Sequence, residues 1–169
     1  MMANQSFFNH SPKIHSTAFV HPTAVIIGRV IIEADCSVWP YAVIRGDIEP
    51  IHIKRGTNIQ DHVVIHTSTD APVEIGEYVT IGHQAIIHGA TIHEKVLIGM
   101  GSLLLDHSVV HKHSIIGAKA MITSNKIIHE RSLMLGSPAT LVREVTQQEI
   151  FQIKENADHY IRLKKQYQE

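Results

Sequence analysis

The chain has 169 residues, 44% of them apolar, and its 15 basic and 16 acidic side chains leave a formal charge of -1. That length and apolar share suit one domain with a continuous core, and the near-neutral charge gives no basic field to draw nucleic acid or anionic lipid. No run approaches the ~20 apolar residues a membrane span needs, and the first thirty residues lack the regions of a signal peptide, so a soluble cytoplasmic protein is expected.

Residues 1–13 carry no repeating pattern and read as an N-terminal extension. From Ile14 a branched apolar residue returns at every sixth position, through Val20, Ile26, Ile32, Val38 and Ile44. Four residues after each comes a second, generally smaller one: Ala18, Ala24, Val30, Cys36 and Ala42, with Ile48 the largest. Cys36 is the single cysteine, which excludes a disulfide within the chain, and its inward-looking place makes it a small buried filler. The period resumes at Ile53, Ile59 and Ile65, then at Ile75 and Ile81. A third run passes through Ile86, Ile92, Ile98, Leu104, Val110, Ile116, Ile122 and Ile128, with phase breaks near 50, 70 and 86.

A helix needs a 3.6-residue period and a flat strand a period of two, so a six-residue period of Ile and Val fits neither. It fits a triangular coil in which each hexapeptide makes one side and its large residue fills the interior near a corner. Stacked coils pair their strands in parallel and bury a column of aliphatic side chains, which accounts for an aromatic content of only 5%. The expectation is an all-β solenoid, a parallel β-helix of about seven coils over residues 14–140. Spacing leaves the hand open, although the crossover rule for parallel strands favours a right-handed path. After Gly136-Ser137-Pro138 the period stops, and Thr146-Gln147-Gln148-Glu149 reads as a capping box that opens a C-terminal α-helix over 146–167. Ile150, Phe151, Ile153, Ala157, Tyr160 and Ile161 give it an apolar face to pack on the β-helix or on a neighbouring subunit.

Fourteen histidines are a strong bias toward the side chain that most often ligates zinc. A histidine inside a packed column would be a costly filler, so those near the repeat belong at corners or outward faces. His66 and His88 each follow an isoleucine and lie 22 residues apart. One coil of about 18 residues plus a polar loop at Ser68-Thr69-Asp70-Ala71-Pro72 stacks them in adjacent coils. His83 falls close to one hexapeptide before His88 and therefore on another edge of the triangle. A threefold homotrimer reconciles the three, bringing His83 of one chain against His66 and His88 of the next. Three neutral nitrogens with one open water position make a catalytic-type zinc site. Iron or cobalt would suit the same imidazoles. The remaining histidines read as solvated surface groups.

Beyond its period, the sequence resembles the gamma-class carbonic anhydrase family over roughly residues 14–145. The resemblance is carried, in order, by Arg45-Gly46-Asp47, Thr57-Asn58-Ile59-Gln60-Asp61, His66, Ile81-Gly82-His83 and His88-Gly89. It implies a left-handed β-helix, with His66, His83 and His88 as metal ligands shared across the subunit boundary. It also implies an interface ion network of Arg45, Asp47 and Asp61, and Gln60 near the metal-bound water. The implied reaction is attack of zinc hydroxide on carbon dioxide to give bicarbonate. The family prototype carries a glutamate directly after Arg-Gly-Asp and another on an acidic loop; this sequence has Ile48 and Thr69 in those regions. Asn156 and Tyr160 resemble an Asn-Tyr pair in related sequences. Two other classes stand beside this reading: a hexapeptide acyltransferase binding coenzyme A between subunits, and a metal-stabilised assembly protein without turnover.

Overall fold

The computed structural model describes residues 4–168, so the first three residues of the expected 1–13 extension lie outside it. Twenty strands precede a single helix, and most strands are two or three residues long. All but the last stack in parallel into three faces of a left-handed β-helix with seven coils, and Ala139–Glu144 folds back antiparallel on Ser132–Gly136. Face one holds Ile26, Ile44, Ile65, Ile87, Leu104 and Ile122 in paired register. Face two stacks Ile14, Ile32, Ile53, Ile75, Ile92, Val110 and Ile128. Face three stacks Val20, Val38, Ile59, Ile81, Ile98, Ile116 and Met134. From Ile26 to Met134 these inward residues belong to one continuous buried core, with Ile14 and Val20 partly buried against its first coil. Each fully buried isoleucine removes enough apolar surface to favour the coil by about 1.5–3 kcal/mol.

Regular coils are 18 residues long, and the exceptions bear on function. Gly28 pairs with Gly46 but Val30 pairs with Ile51, so three extra residues bulge out around Asp47 and Pro50. The sequence expectation placed Ile48 facing inward; within this bulge it is 41% exposed. The next coil is longer because Ser68 and Ala71 close a small antiparallel turn outside the ladder. The third irregularity is a deletion, since Ile75 pairs with Ile92 only 17 residues later. It also corrects the expected third run: Ile87 fills the core at 0% exposure while Ile86 faces out at 40%. The six-residue period therefore continues from Ile81 to Ile87, and the phase breaks after His88-Gly89.

The helix Gln147–Gln166 lies along face three, where Ile153 and Ala157 are buried. Thr146 caps it, accepting from the Glu149 N–H while the Glu149 carboxylate accepts from the Thr146 N–H. Tyr160 and Tyr167 pack edge-on against Trp39, at ring separations of 5.5 and 5.1 Å. At the far end buried Lys164 donates to the Thr17 carbonyl and lies 3.8 Å from Asp35. The helix thus clasps the first coils and leaves face one open.

Candidate metal centre

The corner joining face three to face one is a four-residue turn repeated in successive coils. Its hydrogen bond runs from Ala85 N–H to Gly82 C=O at 3.1 Å, and the third residue, Gln84, has φ of 61°. Positive φ at that position defines a type II-like geometry, and the second residue then projects from the apex. His83 is that second residue. One coil below, Gln60 to Val63 make the same turn, so Asp61 stacks under His83. The Asp61 Oδ2 lies 2.9 Å from His83 Nδ1. Gln60 is buried; its Oε1 accepts the His83 backbone N–H at 3.2 Å and its Nε2 donates to Asn58 Oδ1 at 3.1 Å. Asn58 donates in turn to Thr80 Oγ1 at 2.9 Å, so the turn carrying His83 is braced from within.

At the opposite edge of face one, Arg45, His66 and His88 pair in register and form one vertical column. The bulge around residue 47 brings Asp47 back against it. Asp47 Oδ1 is 3.0 Å from His66 Nε2, and Arg45 donates to Asp47 Oδ2. Burial opposes ionisation of Asp47, but the hydrogen bonds from Arg45 and His66 outweigh it and hold the carboxyl below the usual range. Asp106, one coil above, treats His88 likewise: its Oδ1 is 2.6 Å from His88 Nδ1, and Ser68 donates to its Oδ2 at 2.7 Å. Burial again opposes, and the bonds from His88 and Ser68 again lower the Asp106 pKa.

Each imidazole thus has one ring nitrogen within hydrogen-bond distance of a carboxylate. His66 Nδ1 and His88 Nε2 remain, and they face each other at 3.1 Å. With each N–H turned toward its carboxylate, these two nitrogens would present lone pairs to one point, where a cation could sit between them. Two ligand nitrogens about 2.0–2.1 Å from zinc at the tetrahedral angle stand about 3.3 Å apart, so the spacing and the donor set fit that ion. His83 stands at the other edge of the same face. Among the described residues no three His, Cys, Asp or Glu side chains of one chain converge to hold a metal. Within one chain Arg45 accordingly meets Asp47 but not Asp61.

A groove of about 480 Å³ opens beside His83, lined by Gln60, Gly82, Met100, Ala118, Asn156 and Tyr160 among others. Asn156 and Tyr160 thus reach the His83 side of the face. Burial and the nearby Asp61 charge raise the Tyr160 pKa. Asp106 and Ser68 were not singled out by sequence, because in register Asp106 stacks on Gly89 and meets His88 only on the diagonal.

A family model described as "Bacterial transferase hexapeptide (six repeats)" matches residues 11–46. The chain is 54% identical over 140 residues to "Probable carbonic anhydrase" of Methanocaldococcus jannaschii, covering 83% of this chain and 88% of that protein. It is 38% identical over 162 residues to "Gamma carbonic anhydrase 2, mitochondrial" of Arabidopsis thaliana, covering 92% of this chain but only 58% of the plant protein's length. Among solved structures, a hexapeptide transferase family protein from Anaplasma phagocytophilum superposes with a TM-score of 0.95 at 37% identity, covering 98% of both chains. Three-sided coils with this repeat define a hexapeptide-repeat protein. Within that class the archaeal and plant relatives narrow the assignment, and the chain belongs to the gamma carbonic anhydrase-like family.

Proposed function

We propose that the protein is a homotrimeric, zinc-dependent carbonic anhydrase that hydrates carbon dioxide to bicarbonate at its subunit boundaries. The observation that carries this reading is the pair of carboxylate-oriented imidazoles facing each other at 3.1 Å. His66 and His88 of one chain would hold the metal together with His83 of the next. The outward side of face one supports the trimer. Val43, Val64, Ile86, Leu103 and Met121 form an apolar stripe with His83 at one edge and His66 and His88 at the other. A threefold rotation is one closed ring in which one edge of a protomer meets the other edge of its neighbour.

Zinc held there would supply a Lewis acid that brings the pKa of water down to about 7. The chain's own residues hold the ligand geometry. Asp47 fixes the His66 ring with Nε2–H toward the carboxylate, and Arg45 holds Asp47 in turn. Asp61 pairs with His83, and Gln60 stiffens the turn that presents it. Buried Gln60 also brings an amide close to His83, where it can orient a substrate oxygen. A second reading, a metal-held assembly protein without turnover, is favoured by Ile48 and Thr69 standing where the prototype has glutamates.

Stopped-flow carbon dioxide hydration on protein purified anaerobically, with its metal quantified, tests the reading alongside His83→Ala. Hydration that tracks metal content, and its loss together with the metal in the variant, is the expected outcome. A loaded metal with no hydration would leave the assembly reading standing. A wild-type protein that holds no metal would sink both.

A further inference from the structure

Three contacts converge on the far side of His88. Asp106 Oδ1 lies 2.6 Å from His88 Nδ1, and Ser68, from the turn that lengthens the coil below, donates to the second oxygen of Asp106 at 2.7 Å. Gly89 makes room for Asp106 and for the Ala71 end of that turn: a Cβ there would stand 2.4 Å from Asp106 Oδ1 and 2.7 Å from the Ala71 Cβ. The four-residue loop and the one-residue deletion, irregular for a repeat protein, are thus packed against each other through Gly89. Their shared product is a carboxylate braced from one side and aimed at His88 from the other.

We propose that Asp106, braced by Ser68, is a positioning residue that fixes His88 as its Nδ1–H tautomer and so presents Nε2 toward the metal. Each of the three histidines then has its own carboxylate: Asp47 for His66, Asp61 for His83 and Asp106 for His88. The inference rests on the metal site proposed above, but it makes a separate claim about the metal-free chain. A carboxylate hydrogen-bonded to a ligating imidazole sets the tautomer, restrains the ring and raises its basicity, and its loss typically weakens metal binding by about 10–100-fold.

The experiment measures zinc affinity by chelator competition for wild type, Asp106→Ala and Ser68→Ala, and reads the His88 tautomer by nitrogen NMR in the metal-free proteins. Light scattering and a melting curve show whether each variant remains a folded trimer. The expected result is zinc bound about 10–100-fold more weakly by Asp106→Ala, with a smaller loss in Ser68→Ala. His88 carries its proton on Nδ1 in wild type and redistributes toward Nε2–H in Asp106→Ala, a change that a merely structural role would not produce. Wild-type affinity with an unchanged tautomer in a folded Asp106→Ala trimer overturns the proposal. Should that variant fail to fold, an unchanged affinity in Ser68→Ala overturns it instead. If wild type binds no zinc, the metal-site reading fails by itself, and the tautomer comparison still decides the role of Asp106.

Discussion

Cys36 sits in the core of the coil, its Sγ 3.1 Å from the Lys54 carbonyl oxygen, and burial pushes the thiol up to about 12. The reactive species is the thiolate, so at mildly alkaline pH the native chain holds almost none of it. Iodoacetamide should leave folded protein unmodified by mass spectrometry while labelling the same chain stoichiometrically in strong guanidinium; rapid labelling of folded protein would mean that the coil opens locally. The inward place of Cys36 could be read directly, because the six-residue period runs unbroken through it. Asp106 could not be read that way. Ile87 pairs with Leu104, so it is Gly89 that Asp106 stacks on, and its reach to His88 is a diagonal created by the missing residue. Ile86 and Ile87 show the same ambiguity: adjacent isoleucines both satisfy a period, and only the register decides which one is buried.

At the level of elements, the strands were legible and the corners were not. Asp35, Tyr41, His62, Tyr78, Gln84 and Lys95 all turn with φ between 52° and 61°, positions where glycine or asparagine would be the usual signal. Each left-handed residue costs roughly 1–2 kcal/mol, and the column of ladder hydrogen bonds on either side fixes it there. The terminal helix, by contrast, announced itself through its capping box. Glu149 there has its pKa lowered to about 2, first by Arg143 and then by the Thr146 backbone and hydroxyl. A depressed folded pKa gives stability that is present above the unfolded value of about 4.3 and lost as pH falls toward about 2. Glu149→Ala should therefore lower the melting temperature at neutral pH, and the gap from wild type should close across that acid range. A gap that stays constant through it would show that the carboxylate contributes through packing alone.

Taken as a whole, the molecule has three faces with three different fates. Face three is covered in its earlier coils by the helix. Face two carries an outward ionic network in which His52 bonds Glu33 at 2.7 Å and Lys54 approaches Glu74 at 3.9 Å, a surface suited to water. Face one offers Val64 and Ile86 outward, with the candidate histidines on both of its edges. A carboxylate at position 86 costs a monomer comparatively little, because that side chain already faces out at 40% exposure, yet in an apolar interface it would be a buried, unpaired charge. If face one is the boundary of the proposed trimer, Ile86→Asp should give folded monomers in light scattering and lose the proposed metal, since no single chain brings its three histidines together. Ile127→Asp is the matched control, an isoleucine 54% exposed on face two, and it should leave both assembly and metal content unchanged. If the two variants behave alike, face one is not the boundary, and the pairing of its two edges across subunits loses its physical basis.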